Sequence, residues 1–248
     1  MIKEARIIFL RHGEEPDFVK ISEKIKNRLK HEDSIIGLTL QGAVRAYCMP
    51  TLIKKILGES KNFQLHTYTN YNHKEANGKK CPEPVSRSYY TSQLLRSSPN
   101  CKNTVLYNKS EDVYELVENI KTNAKIYDNI IICWEHGQIP LIIQKLLDLK
   151  KEPSYNKIVK KFFKNKYEIK KETIKTSDLS KIQRSANAMK KDNNKTKNEL
   201  AKIKDDMYYA PVWDVKYNNE DNKGEFNVYP GLTINTLKND DWNVNWYL

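Results

Sequence analysis

The run Asn129-Ile130-Ile131-Ile132-Cys133-Trp134 carries no charge and no alternation of polar with apolar residues. A strand of that composition needs cover on both faces, which predicts the centre of a sheet with helices on each side. It runs directly into Glu135-His136-Gly137, and Ile139 to Leu147 continues as an apolar helical stretch. A second apolar run, Ile7-Ile8-Phe9-Leu10, ends in the same manner, on Arg11-His12-Gly13. Neighbouring residues of a strand point to opposite faces, so Arg11 and His12 can address one ligand only if the strand ends between them and Gly13. Glycine permits that change of direction. In open α/β sheets ligands bind at the carboxyl ends of the strands, where both His-Gly pairs fall.

The intervening sequence supplies the remaining layers. Residues 20 to 30 are charged, with Val19, Ile21, Ile25 and Leu29 as a loose apolar stripe. A helical stretch opens at Leu38-Thr39-Leu40-Gln41-Gly42 and runs to about Leu57, with Thr39 as its expected N-cap. Pro50 should kink it or start a second helix. Phe63 to Thr67 reads as a strand, 69 to 84 as a polar loop, Ser86 to Leu95 as a short helix and Thr104 to Tyr107 as a brief strand. Ser110 to Lys121 reads as a helix with Val113, Leu116, Val117 and Ile120 on one face, and 212–217 with 226–229 as a terminal strand pair. The alternation predicts one α/β domain over residues 1–248, a three-layer α/β/α sandwich with a mostly parallel central sheet.

The net charge of +12 is local. Residues 150 to 204 hold 18 Lys and Arg against 6 Asp and Glu, and the other 25 basic and 25 acidic residues cancel. Within that segment Leu179, Ile182, Ala186, Met189, Asn193, Thr196, Leu200 and Ile203 recur at spacings of three and four, a stripe interrupted by polar positions in its middle, which predicts a basic, largely helical insertion in the domain. Its lysines read as a solvated face, and nucleic-acid binding is not inferred from them. The four cysteines form no C-x-x-C pair and no close His partnership, so a reducing compartment is expected. With no apolar stretch of spanning length and a charged amino terminus, a soluble cytoplasmic protein without membrane association is expected.

Four ordered motifs carry a family resemblance: Arg11-His12-Gly13-Glu14, Leu38-Thr39-x-x-Gly42-x-x-Arg45-Ala46, Ser86-Arg87 opening a helix that includes Thr91, and Trp134-Glu135-His136-Gly137. In this order, over residues 6 to about 147, the chain resembles the histidine phosphatase superfamily, the phosphoglycerate mutase-like proteins. Within it, the chain is similar to a branch with Trp-Glu-His at the second histidine.

The resemblance implies a hydrolase that cleaves a phosphomonoester through a phosphohistidine at His12. Arg11 and Arg87 would clamp the phosphoryl oxygens, His136 would donate from the opposite side, and Gly137 with the Gln138 amide would approach an oxygen closely. No metal and no cofactor are implied, because two guanidiniums and two imidazoles supply the neutralisation. The implied partner is a small phosphorylated substrate, or a phosphate or sulfate anion. Some members take their general acid from the segment before the second histidine, where Glu111 and Asp112 are nearest. Others take it from the residue after that histidine, where this chain has Gly137-Gln138. Glu14 and Glu135 stand beside the histidines as residues that orient a neighbour. A phosphomutase using the same intermediate, and a catalytically weak phospho-ligand binding or scaffold protein, are the alternative readings.

Overall fold

Alternate residues of the 129–134 run face opposite ways, and each face meets a different layer. The computed structural model describes residues 4–13, 38, 40–69, 86–154, 156–158, 169–175, 211–236 and 242–247. Strand β4 (Asn129–Trp134) is buried throughout. Ile130, Ile132 and Trp134 pack on helices α4 (Val113–Asn123) and α5 (Ile139–Leu146), while Ile131 packs on Val44, Cys48, Met49, Leu52 and Ile53 of α1 (Leu40–Leu57). All three isoleucines are 0% exposed, and each such burial stabilises the fold by roughly 1.5–3 kcal/mol relative to an exposed side chain.

The main sheet has the order β3-β2-β4-β1-β6-β7. Strands β1 (Glu4–Arg11), β2 (Phe63–Tyr68), β3 (Cys101–Tyr107) and β4 run parallel to one another. Strands β6 (Pro211–Asn218) and β7 (Lys223–Pro230) form an antiparallel hairpin that joins β1 through β6. Arg6 fastens that junction: its Nε and Nη2 donate to the two carboxylate oxygens of Asp214 at 2.9 and 2.6 Å, and its Nη1 donates to the Ile56 carbonyl at 2.7 Å. The result is a three-layer α/β/α arrangement around a mostly parallel sheet.

Several local expectations are revised. Helix α1 runs through Pro50 without a break, and the stretch after Ser86 divides into α2 (Arg87–Thr91) and α3 (Gln93–Arg96). The 211–230 hairpin is not terminal. Strands β8 (Leu232–Thr236) and β9 (Trp242–Tyr247) follow it and build a second, antiparallel sheet with β5 (Ile169–Ile174), in the order β5-β9-β8. Strand β5 therefore lies inside the basic segment expected to be largely helical. Its Ile174 joins Leu232, Ile234, Val244 and Trp246 in the core on the α1 side, so partners distant in sequence impose strand pairing there. The stripe over 179–203, the 20–30 segment, the 70–84 loop and the Thr39 cap lie outside the described residues.

Candidate functional site

Parallel pairing of β1 with β4 aligns Leu10 with Cys133 and Arg11 with Trp134. The two His-Gly pairs therefore leave the sheet side by side at its carboxyl edge, and the His12 amide continues the ladder by donating to the Trp134 carbonyl at 3.2 Å. The imidazole rings of His12 and His136 lie with centroids 6.5 Å apart. His12 is 1% exposed and Arg11 7%.

Close packing shapes the turn after β1. A Cβ at Gly13 would fall 2.9 Å from the Gly42 carbonyl oxygen, so the turn can lie this close to α1 only with glycine there. The Gly13 amide donates to Thr91 Oγ1 at 2.7 Å, and the Thr91 hydroxyl donates in turn to the Arg87 carbonyl at 2.7 Å. Thr91 thus ties the His12 turn to the helix that carries Arg87. Ser86 caps that helix by accepting from the Tyr89 amide at 3.0 Å, and its own hydroxyl donates to the Tyr68 carbonyl at the end of β2. The Arg87 charge opposes the upward shift of the Tyr68 phenol, and Tyr68 ends the strand next to β4 in the sheet.

The hydrogen bonds of His12 determine its protons. Nδ1 lies 2.8 Å from the Gly13 carbonyl, an oxygen that only accepts, so Nδ1 carries hydrogen. Nε2 lies 3.0 Å from Glu135 Oε2. An unprotonated Nε2 and a carboxylate would present two acceptors to each other, so a proton lies between them. The other carboxylate oxygen, Oε1, makes an ion-pair contact of 2.8 Å with His136 Nδ1. Burial disfavours charge on Glu135, but its hydrogen bonds and charge attraction to His12 and His136 outweigh burial and hold the carboxyl well below the usual carboxylate range. It is an anion, and both ring nitrogens of His12 face acceptor oxygens.

Tyr68 approaches the same oxygen, its hydroxyl 3.4 Å from Glu135 Oε2. Burial pushes the Tyr68 phenol up, with the Glu135 charge adding to the effect, so it remains a donor. Beneath it Tyr68 and Tyr107 meet the Trp134 ring edge-on at 5.0 and 5.3 Å. Trp134 Nε1 donates to the Ser110 carbonyl at 3.0 Å, which holds the segment before α4 against the end of β4.

The structure thus brings together Arg11, His12, Arg87, Glu135 and His136 at one sheet edge. Glu111 is exposed, and among the described residues no hydrogen bond or ion pair joins it to either ring. Asp112 accepts from the Lys109 amide at 3.2 Å and so stabilises its own turn. The Gln138 amide, expected to meet a phosphoryl oxygen, already donates to the Glu135 carbonyl at 3.0 Å in the turn that opens α5. A Cβ placed on Gly137 would meet nothing within 4 Å, so open space adjoins it. Arg45 is fully buried and donates to the Leu232 carbonyl at 3.0 Å, joining α1 to β8. Glu14 lies outside the described residues.

Sequence reasoning placed Glu135 beside the histidines but not between them. Its signal was the register: parallel pairing of two strands that both end in His-Gly puts the residue before the second histidine opposite the first. Tyr68 had no sequence signal beyond its position at the end of a strand.

No known family model and no curated protein matches the chain. Among solved structures it is similar to the protein histidine phosphatase SixA complexed with tungstate, at 11% identity over 90% of this chain and 94% of that one, with a TM-score of 0.45. A protein from Escherichia coli assigned as an α-ribazole-5′-phosphate phosphatase is similar at 12% identity over 92% of this chain and 96% of that one, with a TM-score of 0.43. One from Nakamurella multipartitia assigned as a phosphohistidine phosphatase SixA is similar at 9% identity over 91% and 95%, with a TM-score of 0.40. Among the described residues no helix is long and apolar enough to cross a membrane.

Proposed function

We propose that the chain is a phosphatase of the histidine phosphatase superfamily, which hydrolyses a phosphomonoester without a metal through a phosphohistidine at His12. The observation that carries this reading is the pinned ring of His12. With Nδ1 committed to the Gly13 carbonyl, Nε2 is the nitrogen left for attack, and it faces the Glu135 carboxylate that lies between the His12 and His136 rings.

Attack by Nε2 on phosphorus displaces the alcohol and divides one difficult displacement into two easier ones. Arg11 and Arg87 offer planar forks to the non-bridging oxygens, and His136 adds a donor on the other side. These charges are placed before the reaction and need no reorganisation during it. Water then attacks the phosphohistidine and releases inorganic phosphate. The competing reading is a phospho-ligand binding protein, and the contact between His12 Nε2 and Glu135 favours it, because in that state the nucleophile is capped.

Turnover of 4-nitrophenyl phosphate in excess EDTA separates these readings. The wild type is expected to turn over at an undiminished rate in the chelator. Arg87→Ala should lower kcat/KM by about 10²- to 10³-fold, the loss typical of removing one preorganised donor to a developing charge. Activity that vanishes with EDTA and returns with a divalent cation would contradict metal independence. Inorganic phosphate binding without turnover of any aryl or alkyl phosphate would establish the binding protein instead.

A further inference from the structure

Glu135 occupies the place from which His12 must attack. Its two oxygens contact both histidines, so the carboxylate lies between rings whose centroids are 6.5 Å apart. A phosphoryl group cannot reach Nε2 while that contact stands, and Nε2 cannot attack while it holds a proton. Both obstacles are the same residue. The side chain is also free to leave: it is 28% exposed, and open space adjoins the neighbouring Gly137.

We propose that Glu135, rather than Glu111, is the proton carrier of the reaction, displaced from between the histidines by the incoming phosphoryl group and taking the His12 Nε2 proton with it. The proposal rests on the phosphohistidine reading. In the first half, the proton passes from Nε2 to Glu135 Oε2, leaving a neutral imidazole and a carboxylic acid. The Nε2–P bond forms as the P–O bond to the alcohol breaks, and the alcohol oxygen takes the proton from Glu135. In the second half, the oxygen of a water molecule bonds to phosphorus as the P–N bond breaks. Glu135 accepts a proton from that water and returns it to Nε2. Ester dianion and water become alcohol and hydrogen phosphate, and the imidazolium–carboxylate pair is restored. Tyr68, whose hydroxyl reaches Oε2, steadies the carboxylate in its resting position.

Glu135→Gln tests this, because glutamine keeps the shape and cannot carry the proton. It still allows attack, since its amide can donate to an unprotonated Nε2. With 2,4-dinitrophenyl phosphate, whose leaving group needs no proton, the variant should release about one equivalent of dinitrophenolate in a burst and then turn over slowly. With an alkyl phosphate, the phosphorylation step itself should fall by about 10²- to 10⁴-fold, the usual contribution of general acid–base catalysis. Glu135→Ala should regain alkyl phosphatase activity with added formate. A purely structural role would lower both substrates alike and show no rescue. Equal losses in the phosphorylation step of the two substrates, with no dinitrophenolate burst, or wild-type turnover of the alkyl phosphate by Glu135→Gln, would overturn the proposal while the wild-type phosphoenzyme stood. A wild type that forms no phosphoenzyme would remove the underlying reading, and this proposal with it.

Discussion

Alanine at position 12 is expected to reduce turnover of a phosphomonoester by about 10⁴-fold or more, the scale of loss when a covalent nucleophile is removed. The arginines and His136 would remain, so binding of inorganic phosphate should persist while kcat collapses. The substitution also leaves the Gly13 carbonyl without the 2.8 Å donation from Nδ1, at a cost to stability of about 1–3 kcal/mol for an unsatisfied buried acceptor. Steady-state kinetics measured beside thermal unfolding separate the two effects. A folded variant with phosphate affinity and no turnover is the expected result. A variant that retains a tenth of wild-type kcat would show that His12 is not the nucleophile.

Gly13→Ala should be nearly as damaging, for a reason unconnected with chemistry. The new Cβ would lie 2.9 Å from the Gly42 oxygen and 3.1 Å from the Gly42 Cα, and both are backbone atoms of α1 that cannot rotate aside. Either the helix or the His12 turn must shift. Overpacking of this kind costs about 1–3 kcal/mol, and a displacement near 1 Å at a reacting group can cost about 10²-fold in rate. The Gly13 amide would also leave Thr91, loosening the link to Arg87. Thermal unfolding and kcat/KM are expected to fall together. Unchanged values for both would mean that α1 and the turn part without cost, and that their close approach does not hold the site.

The sheet centre was legible because strands β1 and β4 carry their fold signal locally. Ile7 to Leu10 and Ile130 to Trp134 are apolar on both faces, and each ends in a glycine that frees a histidine. The same runs located His12 and His136, and Ser86-Arg87 located the helix start that carries the second arginine. What could not be read depends on partners distant in sequence. Strand β5 looks like part of a lysine-rich helical insertion until β9 pairs with it and Ile174 enters the core. Arg45 stands in a motif beside candidate ligand groups, yet the carbonyl that holds it belongs to Leu232. Pro50 predicts a kink or the start of a second helix, and no second helix starts there: α1 continues through it as one element. Glu111 is a candidate by its position in the chain alone, whereas Glu135 meets His12 Nε2 only through the β1–β4 register.

The most direct test is to quench the wild-type protein during turnover of a ³²P-labelled phosphomonoester and examine the label on the chain. A phosphohistidine is stable to alkali and lost in acid, unlike a phosphoserine. The wild type is expected to carry up to one equivalent of alkali-stable, acid-labile label on the peptide containing His12, and His12→Ala none. Label on another residue, or turnover by the wild type with no label at any quench time, would contradict a phosphohistidine at His12.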